Sequence, residues 1–339
     1  MGNVAIDIGK KRSYIVVEQD GEIVREEYVN TTADGLREYL SDVSNPVFIV
    51  EASSTLDRVA NYLEPYGGTI TVAHPRKLRA VAESMKKTDR NDAHILLDMN
   101  RIGCIPESYL PDNNVRRQRD ICRNKDFLVR QRTAVKNRIR DQTYRLCTDF
   151  DHFNSGTLDM LQRQSPVLNE LVGHLTGINE RIRSMERTIK EETAKSEAAR
   201  MVDSVPGIGP YGALGIVAGT GKIGRFPSED CIFSYAGLVP RVHQSGSREW
   251  KGHIAQGNMF LRYLLIECVQ MHIAVAPDSP VTAAYIRTKK VRGAKIARIA
   301  AARRLLRMYT TCSKNRWITM HTKGAGRRLG KDLLHCSVD

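Results

Sequence analysis

The chain has 339 residues, of which 41% are hydrophobic and 27% are charged. This length fits two or three domains, and the composition excludes a disordered or collagen-like chain. The longest apolar runs are too short to span a bilayer, and the first residues carry no signal-peptide pattern, so we expect a cytoplasmic protein without a membrane partner. The seven cysteines are odd in number and never spaced C-x-x-C, which favours a reducing compartment and argues against a zinc module.

The net charge of +14 is unevenly distributed along the chain. Residues 1–110 contain 13 Lys and Arg against 17 Asp and Glu, a balance of −4, which leaves +18 for the remainder. Residues 113–145 hold 11 basic and 3 acidic side chains, and residues 281–331 hold 15 basic and no acidic ones. An ordinary solvated surface mixes the two signs. We therefore expect the basic parts to hold a polyanion and the acidic part to hold metal ions.

The first hundred residues predict an α/β unit. Three strands come first, the second and third joined by the Asp20-Gly21 turn, and two further strands then alternate with helices. The order β-β-β-α-β-α-β-α is typical of a ribonuclease-H-like layout, in which the first and fourth strands are central neighbours. The predicted strands are 4–8, 13–19, 22–29, 47–50 and 69–73, and the predicted helices are 33–40, 56–63, 76–85 and 89–101.

Two long helices follow, separated by a break at 154–156. The first, over 113–150, has a narrow apolar stripe among many Arg and Lys side chains. The second has a 3-4-3-4-3-4 apolar spacing, which is a heptad seam. The seam residues are Leu168, Leu171, Leu175, Ile178, Ile182, Met185 and Ile189. Two interpretations stay open: an antiparallel hairpin between the two helices, or a coiled coil through which the protein dimerises.

The character of the sequence changes at Val205. The string Val205-Pro206-Gly207-Ile208-Gly209 opens a Gly/Ala-rich segment and resembles a helix-hairpin-helix, whose glycine amides contact a DNA phosphate. The alternative is a glycine turn that lets two helices pack closely. The pattern predicts helices over 228–235, 258–274, 281–287 and 294–309, a polar stretch over 241–257 and a basic tail after Cys312.

Four carboxylates in the acidic part form a candidate metal site. Asp7 lies on the first strand, Glu51 ends the fourth, and Asp89 and Asp92 lie three apart, on one face of a helix. Clustered carboxylates repel one another unless cations neutralise them, and hard oxygen ligands suit Mg²⁺ or Mn²⁺. Two such ions roughly 4 Å apart stabilise an in-line phosphoryl displacement. The alternative is that Asp7 caps a loop and the aspartate pair is favoured by the helix dipole.

A serine-containing segment is a candidate nucleophile. Ser245 and Ser247 flank Gly246, between Arg241 and Arg248. Serine beside glycine in a basic loop suits attack on a phosphate, although Ser-Gly-Ser is also a common flexible loop. Spacing alone does not separate the two serines.

These residues together resemble the Piv/MooV DEDD transposases, the insertion-sequence one-ten family. In the first half, the matching residues are Asp7, Glu51 and Lys87-Thr88-Asp89-Arg90-Asn91-Asp92-Ala93. In the second half they are Val205–Gly209, Tyr235-Ala236-Gly237-Leu238-Val239-Pro240-Arg241, Ser245-Gly246, Gly257-Asn258, Leu261-Arg262 and Leu264-Leu265. The resemblance extends over nearly the whole chain to about residue 310.

The resemblance implies a RuvC-like DEDD catalytic domain over 1–110, a helical coiled-coil linker over 111–200, a mainly α C-terminal transposase domain over 201–312 and a basic tail over 313–339. It implies Asp7, Glu51, Asp89 and Asp92 as catalytic metal ligands for Mg²⁺ or Mn²⁺, and Ser245 rather than Ser247 as the nucleophile. It also implies a noncoding bridge RNA that pairs with donor and target DNA, a homo-oligomer (dimer or tetramer), and action at the nucleoid of a prokaryote.

The interpretation that follows is a DNA recombinase for insertion and excision of a mobile element. Because Ser245 lies 153 positions after Asp92, its active site has to be composite, within one chain or between subunits. One alternative is a RuvC-like Holliday-junction nuclease with metal-activated water as its nucleophile. A non-enzymatic alternative is a protein that packages RNA or DNA with its basic helices alone.

Overall fold

The computed structural model describes residues 2–43, 45–81, 88–240, 242–245, 248–252, 254 and 257–314, with backbone only for 242–245 and 248–251. The chain divides into two compact units, Met1–Asp112 and Asn113–Asp339. The predicted basic tail beyond 314 and the end of the predicted 76–85 helix lie outside the described residues. The break between the units follows the change in charge noted above.

The first unit contains a five-stranded mixed sheet in the order β3-β2-β1-β4-β5. The first three strands pair antiparallel, whereas β1 with β4 and β4 with β5 pair parallel. The predicted adjacency of the first and fourth strands is therefore confirmed. The strands are β1 (Gly2–Asp7), β2 (Arg12–Gln19), β3 (Glu22–Asn30), β4 (Val47–Glu51) and β5 (Thr69–Ala73).

Helices cover both faces of this sheet, because its central strands are apolar on both sides. On one face, Val4 and Ile6 of β1 pack with residues of the first two helices. On the other face, Ala5 of β1 and Ile49 of β4 pack with Leu96 of the fourth helix. The helices of this unit are α1 (Ala33–Tyr39), α2 (Leu56–Leu63), α3 (Pro75–Val81) and α4 (Asp89–Arg101).

The second unit is mainly helical and is built on a long antiparallel helix pair. The helices are α5 (Asn113–Arg145), α6 (Ser155–Gln164), α7 (Pro166–Lys195), α8 (Glu197–Asp203), α9 (Pro210–Thr220), α10 (Glu229–Tyr235), α11 (Met259–Val275) and α12 (Pro280–Lys314). A two-stranded hairpin, β6 (Val242–Ser245) with β7 (Arg248–Lys251), precedes α11. The predicted helices 281–287 and 294–309 form α12, whose helical geometry is interrupted at Gly293.

The heptad seam of α7 is buried within the chain. Leu168, Leu175 and Ile182 are at most 3% exposed in a core shared with α5 and α6. The ion pair between Lys125 and Glu186 at 3.9 Å, and the one between Arg117 and Glu192, show that α5 and α7 run antiparallel. The structure thus shows the hairpin alternative, and these seam side chains are already occupied within one chain.

Two predicted boundaries in this hairpin were wrong. The first helix ends at Arg145, not near residue 150, and the helix predicted after 154–156 is two helices. Their break lies at Ser165, whose hydroxyl caps α7 by accepting from the amide of Leu168 at 3.2 Å. Pro166 follows at the first helical position, where its missing amide hydrogen is not needed.

In the residues that the structure describes, no single helix is long and apolar enough to cross a membrane. By length and composition only, α11 and α12 up to Ser313 pass the same test together, as a pair bent by 100°.

The glycine-rich segment between α8 and α9 packs against the backbone of α11. Gly207 has φ of +81°, and a Cβ atom there would lie 2.6 Å from the amide nitrogen of His272. The buried imidazole of His272 holds the same turn, with Nδ1 donating to the carbonyl oxygen of Pro206 at 2.7 Å. These contacts provide a packing role for Gly207, while the phosphate contact stays a prediction.

We expect Gly207→Ala to destabilise the second unit by roughly 2 kcal/mol or more, because the side chain meets backbone and the left-handed conformation is costly for alanine. Gly209→Ala is the matched control, since a Cβ there meets no atom within 4 Å and φ is −95°. Chemical unfolding followed by circular dichroism measures both. Equal effects of the two substitutions would contradict this packing role.

Candidate active site

Asp7 and Glu51 end two neighbouring parallel strands. Ile6 of β1 pairs with Val50 of β4, so the next residues, Asp7 and Glu51, lie side by side at the carboxyl edge of the sheet. Adjacent strands are roughly 5 Å apart, which is also the separation of these two backbone positions. Two carboxylates at this spacing repel each other unless positive charge lies nearby.

Both residues belong to the sheet face that α4 covers. Side chains on a strand alternate between faces, so Asp7 shares a face with Ala5, and Glu51 shares one with Ile49. Ala5 and Ile49 pack in the same core cluster as Leu96 of α4. The two carboxylates are half-buried on this side.

The helix α4 runs antiparallel to β1, which brings its first turn to the same edge of the sheet. At its far end, Asn100 donates to the side chain of Asn3 at the start of β1, at 3.4 Å. At its near end, the hydroxyl of Tyr28 donates to Asp89 at 3.2 Å. Tyr28 pairs with Tyr14, and Tyr14 pairs with Asp7, so Asp89 lies at the same register level as Asp7.

The start of α4 fixes the two aspartates in its first turn. Thr88 caps the helix, its hydroxyl accepting from the amide of Asn91 at 3.2 Å. Asp92 precedes the buried Leu96 by four residues and so lies on the side of α4 that packs on the sheet. At the amino-terminal end of α4, the negative charges of Asp89 and Asp92 also interact favourably with the helix dipole. This agrees with the alternative interpretation, in which the dipole alone favours the aspartate pair.

The structure places the four carboxylates at one edge of the sheet without gathering them around one point. Within the described ranges, no three Asp, Glu, His or Cys side chains are close enough together to hold a metal ion. Asp89 is bound to Tyr28 on β3, two strands away from Asp7. The donor set itself fits a hard divalent cation, since it consists of carboxylates that share one face and one edge.

A second polar cluster links β3 to the start of α4, and sequence analysis missed it. Glu26, two residues before Tyr28 on β3, binds Nε2 of His94 at 2.5 Å and forms an ion pair with Arg90. Burial acts to raise the pKa of Glu26, but the hydrogen bonds from His94 and Arg90 outweigh it and lower the pKa. This cluster ties the first turns of α4 to the sheet beside the candidate metal ligands.

Tyr14 lies between this cluster and Asp7. Its ring contacts that of Tyr28 edge-on, with centroids 4.9 Å apart, and only 8% of Tyr14 is exposed. Burial raises the pKa of Tyr14, and the negative charge of Glu26 raises it further. Tyr14 therefore stays a neutral hydroxyl, beside Asp7 in the sheet.

The polar stretch predicted over 241–257 contains a β-hairpin. Ser245 is the last residue of β6 and pairs directly with Arg248, the first residue of β7. Strands of four residues, VHQS and REWK, contain too few apolar residues to show a strand alternation in the sequence. The side chain of Ser245 and all of Ser247 lie outside the described residues.

Two helices of the second unit carry exposed positive charge. On α5, Arg123, Arg138 and Arg140 are exposed. On α12, the exposed basic residues flank Gly293 and no acidic residue accompanies them; they are Arg287, Lys289, Lys290, Arg292 and Lys295. Such one-signed surfaces attract phosphate backbones.

Two family models match most of the described chain. The DEDD transposase model named for IS110 matches residues 4–145, which include all four candidate ligands. The model described as the IS116/IS110/IS902 transposase family matches residues 199–287, which include the hairpin with Ser245. The chain belongs to the IS110 family of transposases. The DEDD match indicates dependence on a divalent metal in general.

Individual transposases are similar to this one over much of their length. The transposase for insertion sequence element IS1111A of Coxiella burnetii is 30% identical over 57% of this chain, which spans 56% of that relative. A probable family 20 transposase of Pseudomonas aeruginosa is 25% identical over 68% of this chain and 72% of that relative. The transposase for insertion sequence element IS1328 of Yersinia enterocolitica is 22% identical over 80% of this chain and 83% of that relative.

The lowered pKa of Glu26 predicts a pH-dependent contribution to the stability of the first unit of this transposase. A depressed carboxyl pKa stabilises the fold above the unfolded pKa of about 4.3 and loses that effect as the pH falls through the folded pKa. We therefore expect Glu26→Gln to lower the unfolding midpoint at pH 7 and to lower it less near pH 3.

Glu27→Gln is the control for this prediction, since Glu27 is the exposed neighbour of Glu26 on the same strand. Thermal unfolding at the two pH values measures the difference between variant and parent. A deficit for Glu26→Gln that is as large at pH 3 as at pH 7 would show that the ionised cluster does not stabilise α4.

Proposed function

We propose that this transposase cuts and rejoins DNA during insertion and excision of a mobile element. The proposed nucleophile is Ser245, and the proposed metal ligands are Asp7, Glu51, Asp89 and Asp92. The observation that carries the proposal is the meeting of β1, β4 and the first turn of α4 at one sheet edge, inside the segment matched by the DEDD model.

The chemistry proposed is transfer of a DNA phosphoryl group to serine. The Oγ atom of Ser245 attacks the phosphorus, a P–O bond to the DNA strand breaks, and a phosphoserine ester forms. The ester preserves the bond energy for rejoining, because a strand hydroxyl later displaces the serine by the same kind of step. A serine hydroxyl is a weak nucleophile at neutral pH and has to lose its proton to a base during attack.

Bound Mg²⁺ or Mn²⁺ supplies charge that polarises the phosphate and stabilises the departing oxygen. On the side of the protein, Tyr28 holds Asp89, and Glu26 holds the first turn of α4 through Arg90 and His94. These contacts fix the helix that carries the aspartate pair before any substrate arrives.

The proposed partners are donor DNA, target DNA and a noncoding bridge RNA that pairs with both. Support comes from the family resemblance and from the charge of the second unit, where α5 carries 11 basic and 3 acidic side chains. We also propose a homo-oligomer, dimer or tetramer. Because the heptad seam of α7 is buried within one chain, the contact between subunits would use other surfaces.

Asp7→Asn, Glu51→Gln, Asp89→Asn and Asp92→Asn should each slow strand cleavage by roughly a hundredfold or more, because each removes a charged ligand. Nucleic-acid affinity should change by less than about twofold, since the basic helices carry the binding. Cleavage of a labelled donor junction with Mg²⁺ and with Mn²⁺ measures the first effect, and filter binding measures the second.

The control for these substitutions is Asp98→Asn. Asp98 lies on the same helix, is 65% exposed and pairs with Arg101 at 3.1 Å, so its loss should leave cleavage intact. Full cleavage by any two of the four ligand variants would refute the carboxylate metal site. If the ligand variants lost nucleic-acid affinity together with cleavage, the separation of metal-binding and nucleic-acid-binding parts would be refuted.

Ser245→Ala should abolish the covalent protein–DNA adduct while RNA and DNA binding stay unchanged. Ser247→Ala is the matched control and should still form the adduct, because Ser245 alone precedes the small Gly246 that leaves room for a phosphodiester. Denaturing gels detect the adduct and peptide mapping locates it. Cleavage without any adduct would favour the nuclease alternative, and a nucleotide mapped to Ser247 would overturn the assignment.

A further inference from the structure

A groove between α5 and α11 contains exposed aromatic side chains. Both helices pack on α9, whose glycines fit against Leu264 and Leu261 of α11. A space of about 620 Å³ remains between them. Phe127 lines it from α5 and is 56% exposed, and Tyr263 lines it from α11 and is 41% exposed. Large aromatic side chains exposed together in a concave surface indicate a binding site rather than ordinary surface.

Arginines line the same two helix faces. On α5, Arg123, Phe127 and Arg130 follow one another at four- and three-residue spacing, which places them in a row along the groove. On α11, Arg262 lies beside Tyr263. Aromatic and guanidinium groups therefore alternate along the groove.

Two of these arginines keep their positive charge uncompensated. Arg123 has no carboxylate partner in the described parts of the chain, and Arg262 donates only to the carbonyl oxygen of Gly237, at 3.5 Å. The one acid that lines the groove, Asp126, pairs with Arg130 at 2.9 Å. The groove as a whole is thus cationic and fits an anionic occupant.

The hairpin that carries Ser245 shortly precedes α11, one wall of the groove, in the sequence. The helix α11 begins eight residues after β7 ends, and Asn258 caps it. Gly257 fits against the backbone of Gly237, to which Arg262 also donates.

We propose that this groove binds a single-stranded segment of polynucleotide. The bases stack on Phe127 and Tyr263, and the phosphates pair with Arg123 and Arg262. Stacking on these rings requires unpaired bases, because the faces of paired bases are covered by their neighbours in a duplex. This inference rests on the proposed function for the presence of a nucleic acid, and it adds where an unpaired stretch binds.

The test uses the Asp7→Asn chain, so that binding is measured without cleavage. The probes are oligonucleotides of about 12 nucleotides that carry one 5-iodouracil, as single-stranded RNA, single-stranded DNA and duplex DNA. Irradiation should link the single strands to Phe127 or Tyr263, found by peptide mapping. Comparison of the RNA and DNA strands shows which of the two the groove prefers.

Phe127→Ala and Tyr263→Ala should each lower single-strand affinity by roughly tenfold and duplex affinity by less than about twofold. Arg123→Ala should reduce the slope of log affinity against log salt by about 1, whereas Arg183→Ala on α7, also exposed, should not. Tyr144→Ala is the aromatic control, because Tyr144 is 82% exposed on α5 outside the groove.

Crosslinks outside the groove, equal losses for single strand and duplex, or an oligomer that dissociates in Phe127→Ala would each overturn the proposal. Crosslinking to wild-type side chains does not depend on how the variants fold. Crosslinking in the groove, together with a wild-type chain that never cuts DNA under any metal condition, would refute the proposed function but not the groove. Cleavage by the wild-type chain, together with no crosslink to Phe127 or Tyr263, would refute the groove but not the proposed function.

Discussion

The parallel pairing of β1 with β4 is the constraint on which the candidate site depends. Parallel neighbours end at the same edge of a sheet, so the register that pairs Ile6 with Val50 places Asp7 beside Glu51. The alternation of side chains then puts both carboxylates on the face covered by α4. Carboxylates repel one another when they come close together, and a bound divalent cation would offset that repulsion.

The helix α4 adds its aspartate pair to this edge of the candidate site. Its core residue Leu96 packs on the centre of the sheet, while Asn100 and Asp89 contact opposite ends of the strands. The contacts from Glu26 and Tyr28 on β3 fix its first turn laterally. These contacts come from β3, which carries neither Asp7 nor Glu51.

Much of this arrangement could be predicted from the sequence. The order of strands and helices along the chain followed from apolar runs and turn residues, and the adjacency of the first and fourth strands followed from the ribonuclease-H-like layout. The helix α4 begins and ends at its predicted residues because Thr88 caps it and the pattern is regular. The cluster of Glu26 with His94 could not be predicted, since it joins residues 68 positions apart and depends on the β2–β3 register. The break at Ser165 was not predicted, because apolar residues recur at helical spacing on both sides of it. The β6–β7 hairpin was not predicted either, because its residues are mostly polar and show no clear strand alternation.

We expect the carboxylates of β1, β4 and α4 to form one divalent-metal site. Anomalous diffraction from crystals of the full chain soaked in Mn²⁺ tests it directly. One or two anomalous peaks should lie roughly 2.0–2.3 Å from carboxylate oxygens of Asp7, Glu51 and Asp92, with Asp89 joining them or remaining on Tyr28. Manganese bound elsewhere, with these carboxylates left outside ligand distance at saturating metal, would contradict it.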